Sequence, residues 1–228
     1  MCGRYAITTD PEVLAALLGV AETPDFDVRY NLAPTQYAPV ARVEGDGQRH
    51  VSSLRWGLVP SWAKDASIGN RTLNARSETA AEKPSFRSAW KQRRCIVPAS
   101  WFYEWKREGK QKVPYRIERR DGEALTFAGL WERWKGAAET PGFDSFTILT
   151  TASNGTLRAL HDRMPVILVD AGARERWLDC AHDDPLALSA LMAPAPEDLL
   201  QLRPVSTKVN NVRNEGPSIL EDGGLFAG

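Results

Sequence analysis

Four strand-like runs follow one another in the middle of the chain: SWFYEWKR at 100–107, VPYRIE at 113–118, ALTFAGL at 124–130 and FDSFTILTT at 143–151. Aromatic and β-branched residues are frequent in these runs, as is typical of strands. Turn signals that contain glycine separate the runs at 108–109, 121–122 and 141–142. Connections this short favour antiparallel hairpins over βαβ crossovers. The middle of the chain therefore predicts an antiparallel sheet.

Helices are predicted on both sides of this region. Asp10 before Pro11 is an N-cap and first-turn signal and Gly19 is a stop signal, so we expect a helix over 11–18. Further helices are expected over 84–92, over 171–180 after an Asp170 cap, and over 185–192. We therefore predict an α+β fold in a single domain over 1–228, with a mostly antiparallel, barrel-like or strongly curved sheet and peripheral helices.

The composition is that of an ordinary globular protein. The 228 residues are 43% hydrophobic and 25% charged, which argues against a disordered, collagen-like or membrane-embedded chain. Cys2, Cys95 and Cys180 show no CxxC or Cys/His ligand spacing, so we expect no metal site and a reducing, cytoplasmic environment. The first residues lack the pattern of a secretory signal, and no apolar run approaches 18 residues, so no membrane association is expected.

Charge is distributed unevenly along a chain whose formal net charge is zero. Residues 51–120 hold 16 Lys and Arg against 6 Asp and Glu, whereas residues 1–50 sum to −3 and residues 121–228 to −7. A basic segment is the usual electrostatic signature of a protein that binds a phosphate backbone. The alternative is a solvated face that acidic neighbours neutralise in the folded protein.

Cys2 is the first candidate reactive residue. If Met1 is removed, as is common when a small residue follows, Cys2 presents a thiol and an α-amine on adjacent carbons. An α-amine with a pKa of about 7.7–8.0 is partly neutral near pH 7 and can attack an aldehyde, after which the thiol can close a five-membered thiazolidine ring. Cys2 could also act as an N-terminal nucleophile in amide hydrolysis, with its own amine as base. The alternative is an incidental second residue.

Asn74 and Arg76 form a second candidate pair. They lie two residues apart and therefore on the same side of an extended strand, where one offers an amide and the other a bidentate grip on phosphate. The alternative is that Ser77 and Glu78 simply begin a short helix after a surface arginine.

Glu104 lies in the middle of an aromatic strand. Period-two alternation places it on one face with Phe102, and places Trp101, Tyr103 and Trp105 on the other. Partial desolvation would favour the neutral form of the carboxyl group and suit it to proton transfer. The alternative is an exposed strand face, because glutamate is seldom buried without a partner.

His161 is the last candidate. It begins the polar segment HDRMP at 161–165, directly before an apolar strand, whereas His50 and His182 lie in strongly polar surroundings. It could serve as a general acid or base, with Arg163 binding phosphate. The alternative is a structural or solvated histidine.

Seven motifs resemble, in their order and spacing, the SOS response-associated peptidase family. They are MCGR at 1–4, RYNLAPT at 29–35, WGLVPSW at 56–62, LNARSET at 73–79, FYEW at 102–105, TTA at 150–152 and HDRMP at 161–165. With PVS at 204–206 and VN at 209–210, the resemblance covers about residues 2–216. Trp101 stands where many relatives have glycine and Ala63 where some have a second tryptophan, so we expect Trp101 to reshape the local surface.

The resemblance implies a sensor and shield for abasic sites in single-stranded DNA, acting in the response to DNA damage. Members of this family cross-link through the N-terminal cysteine to the ring-opened aldehyde of the sugar that has lost its base, which gives a thiazolidine. By resemblance, Asn74 holds the sugar or the reacting amine, Glu104 positions or deprotonates groups around Cys2, and His161 assists ring opening and proton transfer. The residues that the resemblance assigns to DNA binding are Arg4, Asn31, Trp62, Arg76 and Arg163.

Three functions follow, in order of preference. The first is covalent capture of abasic single-stranded DNA through Cys2. The second is a cysteine peptidase with an N-terminal nucleophile, which processes itself or acts on other peptides, and the third is a non-covalent reader of damaged or modified DNA. We expect no metal or organic cofactor, a monomer, contact with the replication machinery, and a location at the bacterial nucleoid when the protein is bound to DNA.

Overall fold

The computed structural model describes residues 2–109, 111–137, 140–182 and 184–221. Within these ranges the chain forms twelve β-strands and six α-helices. The strands are β1 (Tyr5–Ile7), β2 (Arg29–Leu32), β3 (Tyr37–Val43), β4 (Arg49–Trp56), β5 (Asn74–Arg76), β6 (Arg94–Ala99), β7 (Trp101–Glu108), β8 (Gln111–Arg119), β9 (Leu125–Ala137), β10 (Thr140–Ala152), β11 (Arg163–Pro165) and β12 (Leu200–Pro204). The helices are α1 (Pro11–Leu18), α2 (Ser77–Ala80), α3 (Arg87–Gln92), α4 (Gly155–Arg158), α5 (Ala171–Leu178) and α6 (Pro185–Leu191).

Five strands close into a barrel. β10, β4, β3, β6 and β9 are hydrogen-bonded in that order, and β9 pairs back with β10. Neighbours pair antiparallel except β4 and β10, which run parallel. Gly129 of β9 leaves no room for a side chain, because a Cβ there would lie 2.9 Å from Sγ of Cys95 and 3.0 Å from the carbonyl oxygen of Thr147. The prediction of an α+β fold with a mostly antiparallel, barrel-like sheet is confirmed.

Two short strands extend the barrel along β10. β5 pairs parallel with β10, with Asn74 opposite Ile148. β11 pairs antiparallel with β10, with Arg163 opposite Ala152. The registers place β5 and β11 on opposite edges of β10, so the segments around Asn74 and Arg163 flank the same strand end.

A second sheet, in the order β12, β8, β7, β1, β2, packs against the barrel. Aromatic side chains form this contact: the ring of Tyr5 lies 5.1 Å from that of Trp56, and the ring of Phe102 lies 5.8 Å from that of Phe127. Edge-to-face pairs of this kind add to the free energy gained by burying their apolar surface. The two sheets therefore share one hydrophobic core.

The other face of the second sheet is covered by the C-terminal segment. Trp101 and Tyr103 pack there against Val205, Val209 and Ile219. This confirms the predicted alternation, because Phe102 faces the main core instead. Trp101 is only 7% exposed, so it fills the space under the C-terminal segment. Its effect on the shape of the local surface stays a prediction.

The helix predictions hold, with shifts at the ends. α1 begins after Asp10, whose side chain accepts from two backbone N–H groups, and ends at Gly19 in the left-handed conformation. The helix predicted over 84–92 begins only at Arg87, because Phe86 adopts a non-helical backbone and buries its side chain in the core. Asp170 caps α5 as predicted, but α5 ends at Leu178 and α6 at Leu191.

The turn predicted at 141–142 is wrong. Pro141 lies inside β10 and pairs with Gly136 of β9. Gly136 has a φ of 94° and no space for a Cβ, so a glycine is required opposite the proline.

Among the described residues, no helix is long and apolar enough to cross a membrane.

Candidate active site

Strand pairing brings the start of the chain toward Glu104. β1 pairs antiparallel with β7, and the backbone N–H of Tyr103 donates to the carbonyl oxygen of Arg4 at 2.9 Å. Because the strands are antiparallel, each step back toward Cys2 is a step forward along β7. Cys2 and Glu104, which lie about a hundred residues apart in sequence, therefore belong to one site.

The Cys2 side chain is completely buried. Its Sγ lies 3.9 Å from the carbonyl oxygen of Arg4. Burial raises the pKa of the Cys2 thiol, and the negative charge of Glu104 raises it further. The thiol is therefore protonated at neutral pH, which makes it a weak nucleophile as it stands.

Asn74 holds the main chain of Cys2. Its Nδ2 donates to the carbonyl oxygen of Cys2 at 2.8 Å. The other amide atom, Oδ1, is buried and accepts no hydrogen bond from any part of the protein that the structure describes. A buried amide oxygen without a donor is costly, so this atom is suited to accept a hydrogen bond from an incoming N–H or O–H group.

Glu104 and His161 line a common cavity of about 590 Å³. Glu104 is 5% exposed, whereas the His161 side chain is 32% exposed, so the histidine lies nearer to solvent. The cavity is also lined by Trp105 and by two basic residues of the β7–β8 hairpin, Arg107 and Lys112. A carboxyl group and an imidazole that line the same partly enclosed cavity can act as general acids or bases.

The imidazole of His161 has two neighbours at one nitrogen. The backbone N–H of Arg163 lies 3.0 Å from Nδ1, and Oδ1 of Asp162 lies 2.7 Å from the same atom. A neutral Nδ1 accepts from the backbone, whereas a protonated Nδ1 donates to the carboxylate. The backbone of Arg163 and the carboxylate of Asp162 therefore meet at one nitrogen of the His161 ring.

Arg4 and Asn31 bind the C-terminal segment. Arg4 Nη1 donates to Oδ1 of Asn31 at 2.6 Å and to the carbonyl oxygen of Val209 at 2.8 Å. Asn31 is completely buried, and its Nδ2 lies within 3.3 Å of the carbonyl oxygens of Val209, Asn211 and Asn214. Burial lowers the pKa of Arg4. Both side chains thus make internal hydrogen bonds in the positions where the resemblance implies DNA contacts.

Arg163 is also engaged inside the protein. Its guanidinium forms a bidentate pair with Glu78, with Nη2 at 2.8 Å from Oε2, and also donates to the carbonyl oxygen of Thr150. The hydrogen bond from Arg163 lowers the pKa of Glu78. A phosphate would have to compete with this carboxylate for Arg163.

Arg76 and Trp62 face solvent. Arg76 is exposed at the point where β5 meets α2. Trp62 is 59% exposed, and its Nε1 lies 3.4 Å from the carbonyl oxygen of Pro84. An exposed indole and an exposed guanidinium are suited to stack on a base and to contact a phosphate, respectively.

Three residues around the site were not singled out from the sequence. Trp105 donates from Nε1 to Oδ1 of Asn210 at 2.7 Å, and both line the cavity beside Glu104. Glu78 pairs with Arg163. Each of the three residues lies within or beside a motif quoted above, and that position was the only sign of them in the sequence. Their hydrogen-bond and ion-pair partners lie far away in sequence, so the sequence alone could not indicate these contacts.

Comparison with known proteins places the chain in a family. The family model described as SOS response associated peptidase (SRAP) matches residues 1–212. The Bacillus subtilis abasic site processing protein YoqW is 39% identical over 225 residues, which cover 97% of this chain and 99% of the relative. The Escherichia coli abasic site processing protein YedK is 32% identical over 232 residues, with 97% and 99% covered.

The fold is similarly matched by a solved structure. An X-ray crystal structure of a protein from Bacteroides thetaiotaomicron superposes with a TM-score of 0.85 at 26% sequence identity, covering 97% of this chain and 99% of that one. The sequence relatives and the structural match agree over nearly the whole length. The chain therefore belongs to the SOS response-associated peptidase family.

Proposed function

We propose that this protein processes abasic sites in DNA by capturing them covalently through Cys2. The observation that carries the proposal is the clustering of Cys2, Asn74, Glu104 and His161 around one site, with Asn74 bonded to the main chain of Cys2. The curated relatives, which are named abasic site processing proteins, support the substrate class. An abasic sugar in its ring-opened form carries the aldehyde that a 1,2-aminothiol traps.

The proposed reaction has three steps. Hydrolysis of the Met1–Cys2 peptide bond consumes one water and frees the α-amine of Cys2. The amine attacks the C1′ aldehyde of the ring-opened sugar, and loss of one water gives an imine. The Cys2 sulfur then adds to the imine carbon while its proton passes to the nitrogen, which closes the thiazolidine ring.

The order of the last two steps follows from the ionisation of Cys2. Burial and the charge of Glu104 both raise the pKa of the thiol, so the sulfur is protonated at neutral pH. An α-amine has an ordinary pKa of about 7.7–8.0 and is partly unprotonated there. The amine is therefore the first nucleophile, and the thiol closes the ring when its proton has an acceptor.

The surrounding side chains have distinct parts in this scheme. Asn74 Nδ2 fixes the carbonyl oxygen of Cys2, and its Oδ1, buried without a partner among the described residues, is proposed to accept an N–H of the freed amine. Glu104 takes up and returns protons close to Cys2. His161, at the more exposed side of the cavity, donates a proton to the sugar ring oxygen during ring opening.

Single-stranded DNA is the proposed form of the substrate. Trp62 stacks on an unpaired base and Arg76 contacts a phosphate, because both side chains are exposed. Arg4 and Asn31 then contribute to binding through the C-terminal segment that they hold. The monomeric state, the contact with replication machinery and the location at the nucleoid stay predictions.

A denaturing gel tests the proposal. The protein is incubated with a single-stranded oligonucleotide whose one uracil has been excised, and mass spectrometry first shows that Met1 has been removed. A heat-stable shifted band should require both the abasic site and Cys2, so it should be lost with Cys2→Ala and with an intact oligonucleotide. Cys95→Ala is the matched control, since Cys95 is equally buried but lies in the barrel wall. Absence of the band from the processed wild-type protein would contradict the proposal.

Self-processing is a second activity that the same arrangement favours. The charge of Glu104 acts directly on Cys2, so a carboxylate is available as a base at the peptide bond that must be cleaved. Mass spectrometry of Glu104→Gln purified after cell-free synthesis without an added aminopeptidase should find Met1 retained. Cleavage of unrelated added peptides by the wild-type protein would instead favour a general peptidase.

A further inference from the structure

Glu78 and Arg163 form an ion pair beside the site. The two carboxylate oxygens of Glu78 accept from two different guanidinium nitrogens of Arg163. Nη2 of Arg163 also donates to the carbonyl oxygen of Thr150 in the barrel wall. A bidentate pair fixes orientation as well as distance, which a single contact does not.

This pair connects the two segments that carry Asn74 and His161. Glu78 follows β5, four residues after Asn74, and Arg163 begins β11, two residues after His161. β5 and β11 pair with opposite edges of β10, so the ion pair crosses the end of that strand. The backbone N–H of Arg163 also holds Nδ1 of His161.

The pair is shielded on the arginine side. The Arg163 side chain is 12% exposed, whereas that of Glu78 is 50% exposed. Two strand ends that carry reactive groups are thus connected through one partly buried guanidinium. A shift of about 1 Å in such groups is enough to slow a reaction about 100-fold.

We infer that Glu78 is a positioning residue, which through Arg163 fixes the spacing between Asn74 and His161 for the capture reaction. The inference rests on the proposed function, because it assigns both residues to that reaction. Glu78 itself touches neither Cys2 nor the cavity beside Glu104. Its effect should therefore appear in the rate of capture and not in the affinity for DNA.

Glu78→Gln tests this directly. An amide cannot offer two anionic acceptors to Arg163, so the crossing contact is weakened while the side chain keeps its size. We expect the rate constant for adduct formation at saturating abasic oligonucleotide to fall about 10- to 100-fold. Binding of an intact oligonucleotide, and its dependence on salt, should match the wild type.

A matched control is present elsewhere in the chain. Glu175 on α5 forms an ion pair with Arg49, whose Nη2 donates to both carboxylate oxygens and whose side chain is 13% exposed. Glu175→Gln removes an ion pair that does not connect β5 with β11, so it should cost similar thermal stability and leave the capture rate unchanged. Glu78→Asp keeps the charge and should recover part of the rate, and it replaces Glu78→Gln if that variant does not fold.

Two results would overturn the inference. One is capture by Glu78→Gln at the wild-type rate. The other is tighter binding of intact single strands with a salt dependence steeper by about one charge, at an unchanged rate, which would make Glu78 a competitor for phosphate at Arg163. If the wild-type protein forms no adduct that depends on Cys2, the proposed function itself fails.

Discussion

Replacing Asn31 by alanine should destabilise the protein strongly, because this side chain holds the C-terminal segment. Its Nδ2 donates hydrogen bonds to the carbonyl oxygens of Val209, Asn211 and Asn214. Its Oδ1 accepts a hydrogen bond from Arg4 at 2.6 Å. Asn31 is completely buried. The alanine variant would therefore leave one buried and two partly buried carbonyl groups without their donor.

The magnitude follows from the number of bonds. An amide nitrogen has two hydrogens, so the three carbonyl contacts count as two neutral hydrogen bonds of about 1 kcal/mol each. The bond from the charged Arg4 adds about 1.5–3 kcal/mol, although Arg4 keeps its second acceptor, the carbonyl oxygen of Val209. The expected loss is about 3–5 kcal/mol. For a chain of this size that corresponds to a fall in Tm on the order of 10 °C.

Guanidinium titration and thermal melting measure this loss. Asn211→Ala is the matched control, because Asn211 lies in the same segment but its exposed side chain accepts from the exposed backbone N–H of Arg213. The control should stay within about 0.5 kcal/mol of the wild type. A loss below about 1 kcal/mol for Asn31→Ala would refute the reasoning, since it would mean that the carbonyl groups find other donors.

Two further predictions concern alkaline stability and DNA binding. Burial raises the pKa of the Cys95 thiol, so the folded state keeps a proton that the unfolded chain releases above about pH 8.5. The free energy of unfolding should therefore fall above that pH by about 1.4 kcal/mol per pH unit because of this thiol. Guanidinium titrations between pH 7.5 and 10 should show a shallower fall for Cys95→Ala than for the wild type. Equal slopes for the two proteins would contradict this prediction. Trp62→Ala should weaken binding of intact single strands by about 1–3 kcal/mol regardless of sequence, as measured by fluorescence anisotropy. The control is Tyr37→Ala, because Tyr37 is an aromatic residue of similar exposure that lines a different pocket together with Asp27. This control variant should bind like the wild type.

The parts of the fold that sequence patterns predicted are those fixed by near neighbours. Asp10 and Gly19 set the two ends of α1 through hydrogen bonds to the helix itself. The alternation in β7 predicted which face of the strand is buried in the main core, because successive side chains of a strand must point to opposite faces. Such signals depend on a few consecutive residues, so they survive without knowledge of the rest of the chain.

Closure of the barrel and the contacts of the site depend on long-range pairing instead. β4 and β10 pair parallel although about ninety residues separate Trp56 from Phe146, and a parallel pairing leaves no hairpin signal in the sequence. Arg4 reaches Val209 across 205 positions. The sequence could therefore indicate candidates for the chemistry, whereas the partners of Arg4 and Arg163 depended on the three-dimensional arrangement.

The engagement of these arginines bears on how the proposed capture selects its target. Arg4 and Arg163 donate to Asn31, Val209, Glu78 and Thr150, so their charges add less to DNA affinity than their number suggests. Weak non-covalent binding is no handicap when the final step is a covalent bond, because only a strand with an aldehyde can complete it. Discrimination between damaged and intact DNA then comes from the reaction at Cys2, and a protein with modest affinity can release intact strands quickly. A site in which Arg4 and Arg163 are held by internal hydrogen bonds, and so serve mainly to fix the positions of nearby groups, meets that requirement.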